Sequence, residues 1–84
     1  MAISTSGNSP NIVQAVHAAA DQGLRIVVLT GAGGGQLAKL TKPNHCLVVP
    51  SPRTCRIQEI HIAVGHIWCE MVEEARRRGQ IPPN

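Results

Sequence analysis

Aromatic residues are almost absent from this chain: its 84 residues include one tryptophan and no phenylalanine or tyrosine. A folded core must therefore be built from valine, isoleucine, leucine and alanine, within a total apolar share of 43%. Surfaces that stack nucleic-acid bases combine aromatic rings with a basic groove, so no nucleic-acid partner is expected. The net charge is only +3, and three of the basic residues form one run at positions 76–78, which is typical of a solvated helix end.

Disulfide, zinc-knuckle and membrane signals are also missing. Cys46, Cys55 and Cys69 are an odd number with no C-x-x-C spacing, which indicates free thiols in a reducing compartment. No apolar run approaches the ~18 residues of a membrane span, and the N-terminus turns polar too early for a signal peptide. These absences predict a cytoplasmic protein with no membrane partner. The length allows one small domain, which would be marginally stable alone.

Helix-like and strand-like segments alternate along the chain, which predicts parallel βαβ units of an α/β fold. The run 24–29 is continuous and aliphatic, as expected of a strand buried on both faces of a parallel sheet. The expected order is a strand stub at 1–4, a helix from Pro10 to Gly23, strand 24–29, helix 36–40, strand 46–49 and a long helix 54–78. Ligands of such sheets bind beyond the carboxyl ends of the strands, where residues 4–9 and 30–35 should lie.

Small polar residues crowd into positions 4–9, directly before the helix that begins at Pro10. Unpaired backbone N–H groups at a helix N-terminus carry partial positive charge and suit a phosphate, and Gly7 lets the backbone approach closely. The simpler alternative is an N-cap at Ser9. A cap needs one such residue, whereas this segment has several, which favours an anion cradle. Its hydroxyl groups belong to Ser4, Thr5, Ser6 and Ser9.

The glycine-rich stretch 30–35 has two interpretations. As a second phosphate loop, it lacks the Lys-Ser/Thr ending of a P-loop and a usable G-x-G-x-x-G register. As a tight structural turn it needs no ligand, because glycine clusters mostly meet demands of the backbone. The structural turn is the favoured interpretation.

The long helix carries the remaining polar candidates, Gln58, His61 and His66. Gln58 and His66 are eight residues apart, which places them about 80° apart around the helix axis and roughly on one face. His61 lies about 140° from His66, which predicts that it stands outside their cluster. A lone histidine on an apolar helix face is ordinarily a hydrogen-bonded core residue. The residues alone therefore assign catalysis to neither histidine.

Three ordered motifs resemble the sugar isomerase (SIS) domain, in its phosphoheptose isomerase branch. Residues 4–9 are similar to its phosphosugar-binding loop and residues 30–38 to its second strand-to-helix turn. Residues 49–51 and 56–61, together with His66, are similar to the start of its last long helix. The resemblance implies a three-layer, parallel-sheet, flavodoxin-like domain of which the chain is the second half only (βαβαβα). Residues 1–75 would form this half, and residues 76–84 a polar tail.

The resemblance also implies a reaction, the interconversion of sedoheptulose 7-phosphate and D-glycero-D-manno-heptose 7-phosphate for lipopolysaccharide heptose synthesis. It places His66 and Gln58 at catalytic and zinc-binding positions, with Gln58 also contacting the sugar. The phosphate would be held by Ser4, Thr5, Ser6 and Ser9. The other zinc ligands and a base have no counterpart in this chain, so the chain alone is expected to be inactive. Intact members of the branch are homotetramers.

Other interpretations stay open. Gly33 and Cys55 stand where the branch can carry acidic residues, so any acid–base help from position 55 is absent. Arg53 and Arg56 could screen a phosphate, or could face water or pair with Glu59. The competing function is a non-catalytic SIS-domain protein that binds phosphosugars or associates with a replication initiator. Relatives of the latter kind tend to have a basic residue where this chain has a threonine, at position 5, which favours the isomerase. A small stand-alone fold without a ligand would leave the three motifs unexplained.

Overall fold

The computed structural model describes residues 1–40 and 43–80. Strands and helices alternate along them: β1 (Ala2–Ile3), α1 (Pro10–Asp21), β2 (Val27–Gly31), α2 (Gly35–Lys39), β3 (His45–Val49) and α3 (Thr54–Arg77). The strands form one parallel sheet in the order β1-β2-β3. The predicted α/β fold with parallel strands is confirmed.

Helix α1 begins and ends as the sequence predicts. Pro10 occupies the first helical turn, where its missing N–H costs no hydrogen bond. At the other end Gly23 has a φ of +74°, in the left-handed region that glycine adopts most easily. The amides of Gly23 and Leu24 donate to the carbonyls three and five residues earlier. These two bonds form a Schellman motif, so the predicted stop at Gly23 is confirmed.

Strand β2 is displaced from its prediction: residues 24–29 were expected, and the strand spans Val27–Gly31. The N–H of Ile26 donates to Asn44 Oδ1 at 2.6 Å, and the Ile26 carbonyl accepts the amide of Asn44 at 2.8 Å. These bonds occupy Ile26 before the ladder begins, where Val27 pairs with His45. At its other end the strand takes in the first two residues of the predicted turn. The remaining predicted boundaries differ by one residue or two.

The core is small and aliphatic, as the composition predicts. Its central cluster lies between the sheet and the first two helices and consists of Val16, Ile26, Val28 and Leu37. By contrast, α3 buries only Ile57 and His61 of its 24 residues. The expected boundary between residues 75 and 76 falls within α3, and residues 81–84 of the expected tail lie outside the described residues. Within the described part, no helix has the length and apolar character to span a membrane.

The outer side of α3 leaves a broad apolar face exposed. On this side, three large apolar side chains that share one helix face are 46–62% exposed: Ile60, Ile67 and Met71. An exposed apolar patch of this kind marks a surface that another protein segment ordinarily covers.

We therefore expect the isolated chain to associate or aggregate and to melt without a sharp transition. Its sheet has open strand edges, and the apolar face of α3 gains from self-association. Sedimentation velocity and a thermal melt by circular dichroism measure both properties. The double variant Ile67→Lys, Met71→Lys should lower the sedimentation coefficient, because it disrupts that face without changing the sheet. A compact monomer with a cooperative melt would contradict this expectation.

Candidate functional site

One open cleft, with a volume of about 710 Å³, brings the loop at residues 4–9 against α3. This volume lies in the range of small-molecule sites. From the N-terminal segment and the loop, it is lined by Met1, Ile3, Ser4, Thr5 and Ser9. From α3, it is lined by Gln58, His61, Ile62, Gly65, His66 and Cys69. The cleft thus joins two segments that are about fifty residues apart in the sequence.

Ser4 holds the loop together from inside. Its amide donates to the Leu29 carbonyl at 3.0 Å, which continues the pairing of β1 with β2. Its hydroxyl oxygen accepts the Gly7 amide at 3.1 Å and lies 2.8 Å from the hydroxyl oxygen of Ser9. Ser4 is only 5% exposed. Ser9 stands at the N-cap position of α1, but its side chain makes no capping bond, since its hydroxyl bonds to Ser4 instead.

The outer part of the loop carries free donors. The amides of Thr5, Ser6 and Ser9 donate to no protein atom within residues 1–40 and 43–80. The Ser6 hydroxyl oxygen accepts the Asn8 amide at 3.1 Å, which leaves its own O–H group available to donate. No acidic residue stands in the first turn of α1, so the positive end of the helix dipole is not neutralised there. Such donors can bind an anion. Ser6 is exposed and is not among the residues that line the cleft.

Gly7 is required by the loop for two reasons. Its φ of +72° is a conformation that residues with a side chain rarely adopt. A Cβ atom here would also overlap the Gly34 carbonyl and lie 2.9 Å from Thr30 Oγ1. The backbone of the loop therefore packs directly on the residues that end β2 and precede α2.

The glycine-rich turn supports the loop through hydrogen bonds. Two of the first three amides of α2 are occupied: Leu37 N–H donates to the Gly7 carbonyl at 3.0 Å, and Gln36 N–H donates to Asn8 Oδ1 at 2.9 Å. These bonds support the interpretation of residues 30–35 as a structural turn. They also give Asn8 a role that the sequence analysis did not assign. An asparagine between two small residues carries no signal that its side chain caps a helix 28 residues away.

Gln58 and His66 both face the cleft and are exposed. Within the described residues, neither side chain has a hydrogen-bond partner in the protein, so both can contact a ligand. Arg56 forms an ion pair with Glu59 at 2.9 Å, which is one of the alternatives that the sequence left open. The structure thus brings Gln58 and His66 together with the Ser4, Thr5 and Ser9 end of the loop. Their roles toward a ligand stay predictions.

The expectation that His61 stands outside this cluster was wrong. His61 lines the same cleft, although it is only 4% exposed. The cleft covers a wide sector of α3, and His61 and His66 stand at its two borders with Gly65 between them. An angle of about 140° therefore separates the two rings without placing them in different sites. The sequence analysis also did not place Cys69 in the cleft, although its position eleven residues after Gln58 puts it on the same helix face.

A zinc ion would find part of its ligand set here. Gln58 offers an amide oxygen and His66 an imidazole nitrogen, both free and both facing the cleft. Among the described residues, no group of three His, Cys, Asp or Glu side chains is placed to hold a metal. Because structural and catalytic zinc sites use about three or four protein ligands, these two residues fit only as members of a larger set.

A second open groove, of about 720 Å³, lies along the far end of α3. It runs past charged side chains of which Glu74 pairs with Arg77 and Arg78 at 3.1 and 2.8 Å. It contains none of the residues that the sequence motifs single out. Its size reflects the uncovered side of a helix.

Comparison with known proteins gives a consistent result, although no family model matches the chain. The phosphoheptose isomerase of Aneurinibacillus thermoaerophilus is 52% identical over 79 residues, which are 94% of this chain and 39% of that protein. The phosphoheptose isomerase of Rhodospirillum rubrum is 49% identical over 75 residues, 89% of this chain and 39% of that protein. The chain is homologous to the phosphoheptose isomerases. It spans about two fifths of the length of these curated relatives.

Solved phosphoheptose isomerase structures agree with the homology. The one from Neisseria gonorrhoeae matches with a TM-score of 0.79 at 46% identity, over 83% of this chain and 39% of that chain. The one from Francisella tularensis matches with a TM-score of 0.77 at 38% identity, over 86% of this chain and 38% of that chain. The predicted SIS-type fold, present only in part, and the resemblance to phosphoheptose isomerases are confirmed.

Proposed function

We propose that the chain forms the phosphate-binding loop and one wall of the active site of a phosphoheptose isomerase that acts on sedoheptulose 7-phosphate. The observation that carries the proposal is the single cleft in which Ser4, Thr5 and Ser9 face Gln58 and His66. It pairs an anion-binding loop with two free polar side chains, which is what a phosphorylated sugar requires. The homology to phosphoheptose isomerases supports the same choice of substrate.

The loop holds the phosphate end of the substrate. The free amides of Thr5, Ser6 and Ser9 and the Ser6 hydroxyl donate to phosphate oxygens, and the dipole of α1 favours the negative charge. Ser4 mainly stabilises the shape of the loop, because its hydroxyl already bonds within the loop. Anchoring the phosphate fixes the position of the reacting carbons at the other end of the sugar, which lowers the entropic part of the barrier.

The α3 side of the cleft acts on the reacting end. Aldose–ketose exchange moves a proton between C1 and C2, so it needs an acid–base group near both carbons. His66 has no partner among the described residues and can take or return that proton, while the Gln58 amide orients the neighbouring oxygens. No carboxylate lines the described cleft. A second acid–base group would come from the part of a phosphoheptose isomerase that this chain does not match.

The proposed active site includes a zinc ion, for which this chain supplies some of the ligands. Gln58, through its amide oxygen, and His66, through a ring nitrogen, would hold the ion together with ligands from the unmatched part of the enzyme. With His66 on zinc, the proton transfer would fall to an acid–base group from that unmatched part. When bound, zinc would polarise the substrate oxygens at the reacting carbons.

The assembled enzyme is proposed to be a cytoplasmic homotetramer. The three cysteines are exposed free thiols in the described structure, as suits a reducing compartment. The exposed apolar face of α3 supports burial in a larger assembly, because a face of this kind is seldom left in water.

A chimera tests the proposed function. In it, this chain replaces the matching 79 residues of the A. thermoaerophilus relative, which supplies the rest of the domain. We expect the chimera to convert sedoheptulose 7-phosphate to the aldose, measured by chromatography of the product, and the isolated chain to show no turnover. An inactive chimera beside an active parent would contradict the isomerase. Tight binding of the sugar phosphate without turnover would favour the non-catalytic binder.

Replacing Ser9 with alanine in the chimera should weaken binding of sedoheptulose 7-phosphate, because the Ser9 hydroxyl bonds to Ser4 and so shapes the loop. Replacing Ser6 with alanine removes a donor to the phosphate and should cost about 1–3 kcal/mol of binding free energy, the scale of a hydrogen bond lost to a charged group. Calorimetry would show this as a rise in Kd of about 5- to 150-fold. Gln14→Ala is the matched control, since Gln14 is exposed on α1 and away from the cleft. Unchanged affinity in both serine variants would refute the phosphate loop.

A further inference from the structure

We propose that His61 is a positioning residue: its bond to the end of β2 fixes α3 so that Gln58 and His66 face the phosphate loop. The proposal rests on the proposed function, because the site that His61 organises is the cleft described above. His61 itself would neither contact the reacting atoms nor move a proton.

Few contacts attach α3 to the sheet. The His61 Nε2 atom lies 2.9 Å from the Thr30 carbonyl oxygen, and within residues 1–40 and 43–80 this is the one hydrogen bond between α3 and a strand. The second attachment is apolar: Ile57, one turn earlier, packs so closely on Gly31 that a Cβ there would lie within 2.7 Å of its Cγ2 atom. Two side chains one turn apart on α3 thus contact two consecutive residues of β2.

The chemistry of the His61 ring defines its role in that hydrogen bond. A carbonyl oxygen only accepts, so Nε2 carries the hydrogen and donates it to Thr30. The Nδ1 atom is buried and has no partner among the described residues. Among the described residues the ring therefore has no second hydrogen-bond partner, and it acts as a donor to Thr30.

Thr30 also contacts the loop. Its side chain is fully buried, and its Oγ1 atom lies 2.9 Å from the place where a Cβ of Gly7 would be. The loop therefore packs on the side chain of Thr30, and α3 bonds to its carbonyl. One residue at the end of β2 sets the positions of both walls of the cleft.

A small rotation of α3 would displace both polar side chains of the cleft. Gln58 and His66 are both within about 8 Å of His61 along the helix axis, so they move with it as one rigid segment. If α3 turned by about 20°, side-chain ends at a radius of about 6 Å would shift by about 2 Å. A displacement of about 1 Å at a catalytic group can cost about 10²-fold in rate.

Three variants of the chimera test the inference. His61→Gln places its amide nitrogen the same number of bonds from Cα as Nε2, His61→Asn places it one bond short, and His61→Leu removes the donor. We expect the Gln variant to keep kcat within about threefold, and the Asn and Leu variants to lose about 30-fold or more. KM for the sugar phosphate, and inhibition by inorganic phosphate, should change less than about threefold in all three, because the loop stays in place.

Three other outcomes would overturn the inference. Equal loss in the Gln variant would show that the donor bond is not what matters, and full activity in the Leu variant would show that no positioning is needed. A parallel loss of phosphate inhibition would indicate a general structural role. An inactive parent chimera would refute the proposed function but not this inference. In that case the His66 ring signals in 1H–15N spectra decide: they should shift in the Asn and Leu variants and not in the Gln variant, and any other pattern refutes the inference.

Discussion

Replacement of His66 by alanine in the chimera should lower the turnover of sedoheptulose 7-phosphate by about 10²- to 10⁴-fold, the range that a positioned acid–base group contributes. His66 is exposed and has no partner among the described residues, so its removal should leave the fold intact. We expect the melting temperature to stay within about 2 °C of the parent, since the substitution breaks no contact of the core. The measurement is kcat by product chromatography beside a thermal melt.

The control for this variant is His45→Ala. His45 is an exposed histidine on β3, and it does not line the cleft. Its replacement should leave kcat unchanged. If the His66 variant kept its turnover, or if the His45 variant lost as much, the assignment of His66 would be wrong.

Replacement of Gly7 by alanine should abolish phosphate binding and destabilise the domain. The left-handed backbone costs an alanine about 1–2 kcal/mol, and overlap with the Gly34 carbonyl adds to that cost because a backbone atom cannot move aside. We expect a total loss above about 2 kcal/mol in the free energy of unfolding, and no heat of binding with sedoheptulose 7-phosphate. Urea unfolding and calorimetry on the chimera measure the two effects.

Gly33→Ala is the matched control for Gly7. It lies in the adjoining turn, and a Cβ there would have nothing within 4 Å. We expect stability and binding close to those of the parent. Equal effects of the two substitutions would show that the loop does not depend on the close packing at Gly7.

Local patterns predicted much of this fold, because they act through nearest neighbours along the chain. Proline at the first turn and glycine at the stop of α1 were sufficient to place that helix, and the bounds of α3 follow from its long uninterrupted period. The start of β2 could not be placed in this way. It depends on Asn44, eighteen residues away, whose side chain and amide occupy both polar groups of Ile26.

The same distinction applies to the site. The helix period correctly placed Gln58 and His66 on one face, and the density of hydroxyl residues indicated the loop. The period alone could not show that β2 lies against one border of that face. His61 was therefore predicted to lie outside the cleft, although a buried bond to Thr30 makes it part of the cleft wall.

The bonds between α2 and the loop have a consequence for protein engineering. Two acceptors of the loop, the Gly7 carbonyl and the Asn8 side chain, are satisfied only by amides that begin α2. Gly35 must stay small for the same reason, since a Cβ there would lie 2.7 Å from Asn8 Oδ1. A graft of residues 4–9 into another βα scaffold would therefore lose its shape. The smallest transplantable unit is the loop together with residues 34–37, held on two adjacent parallel strands.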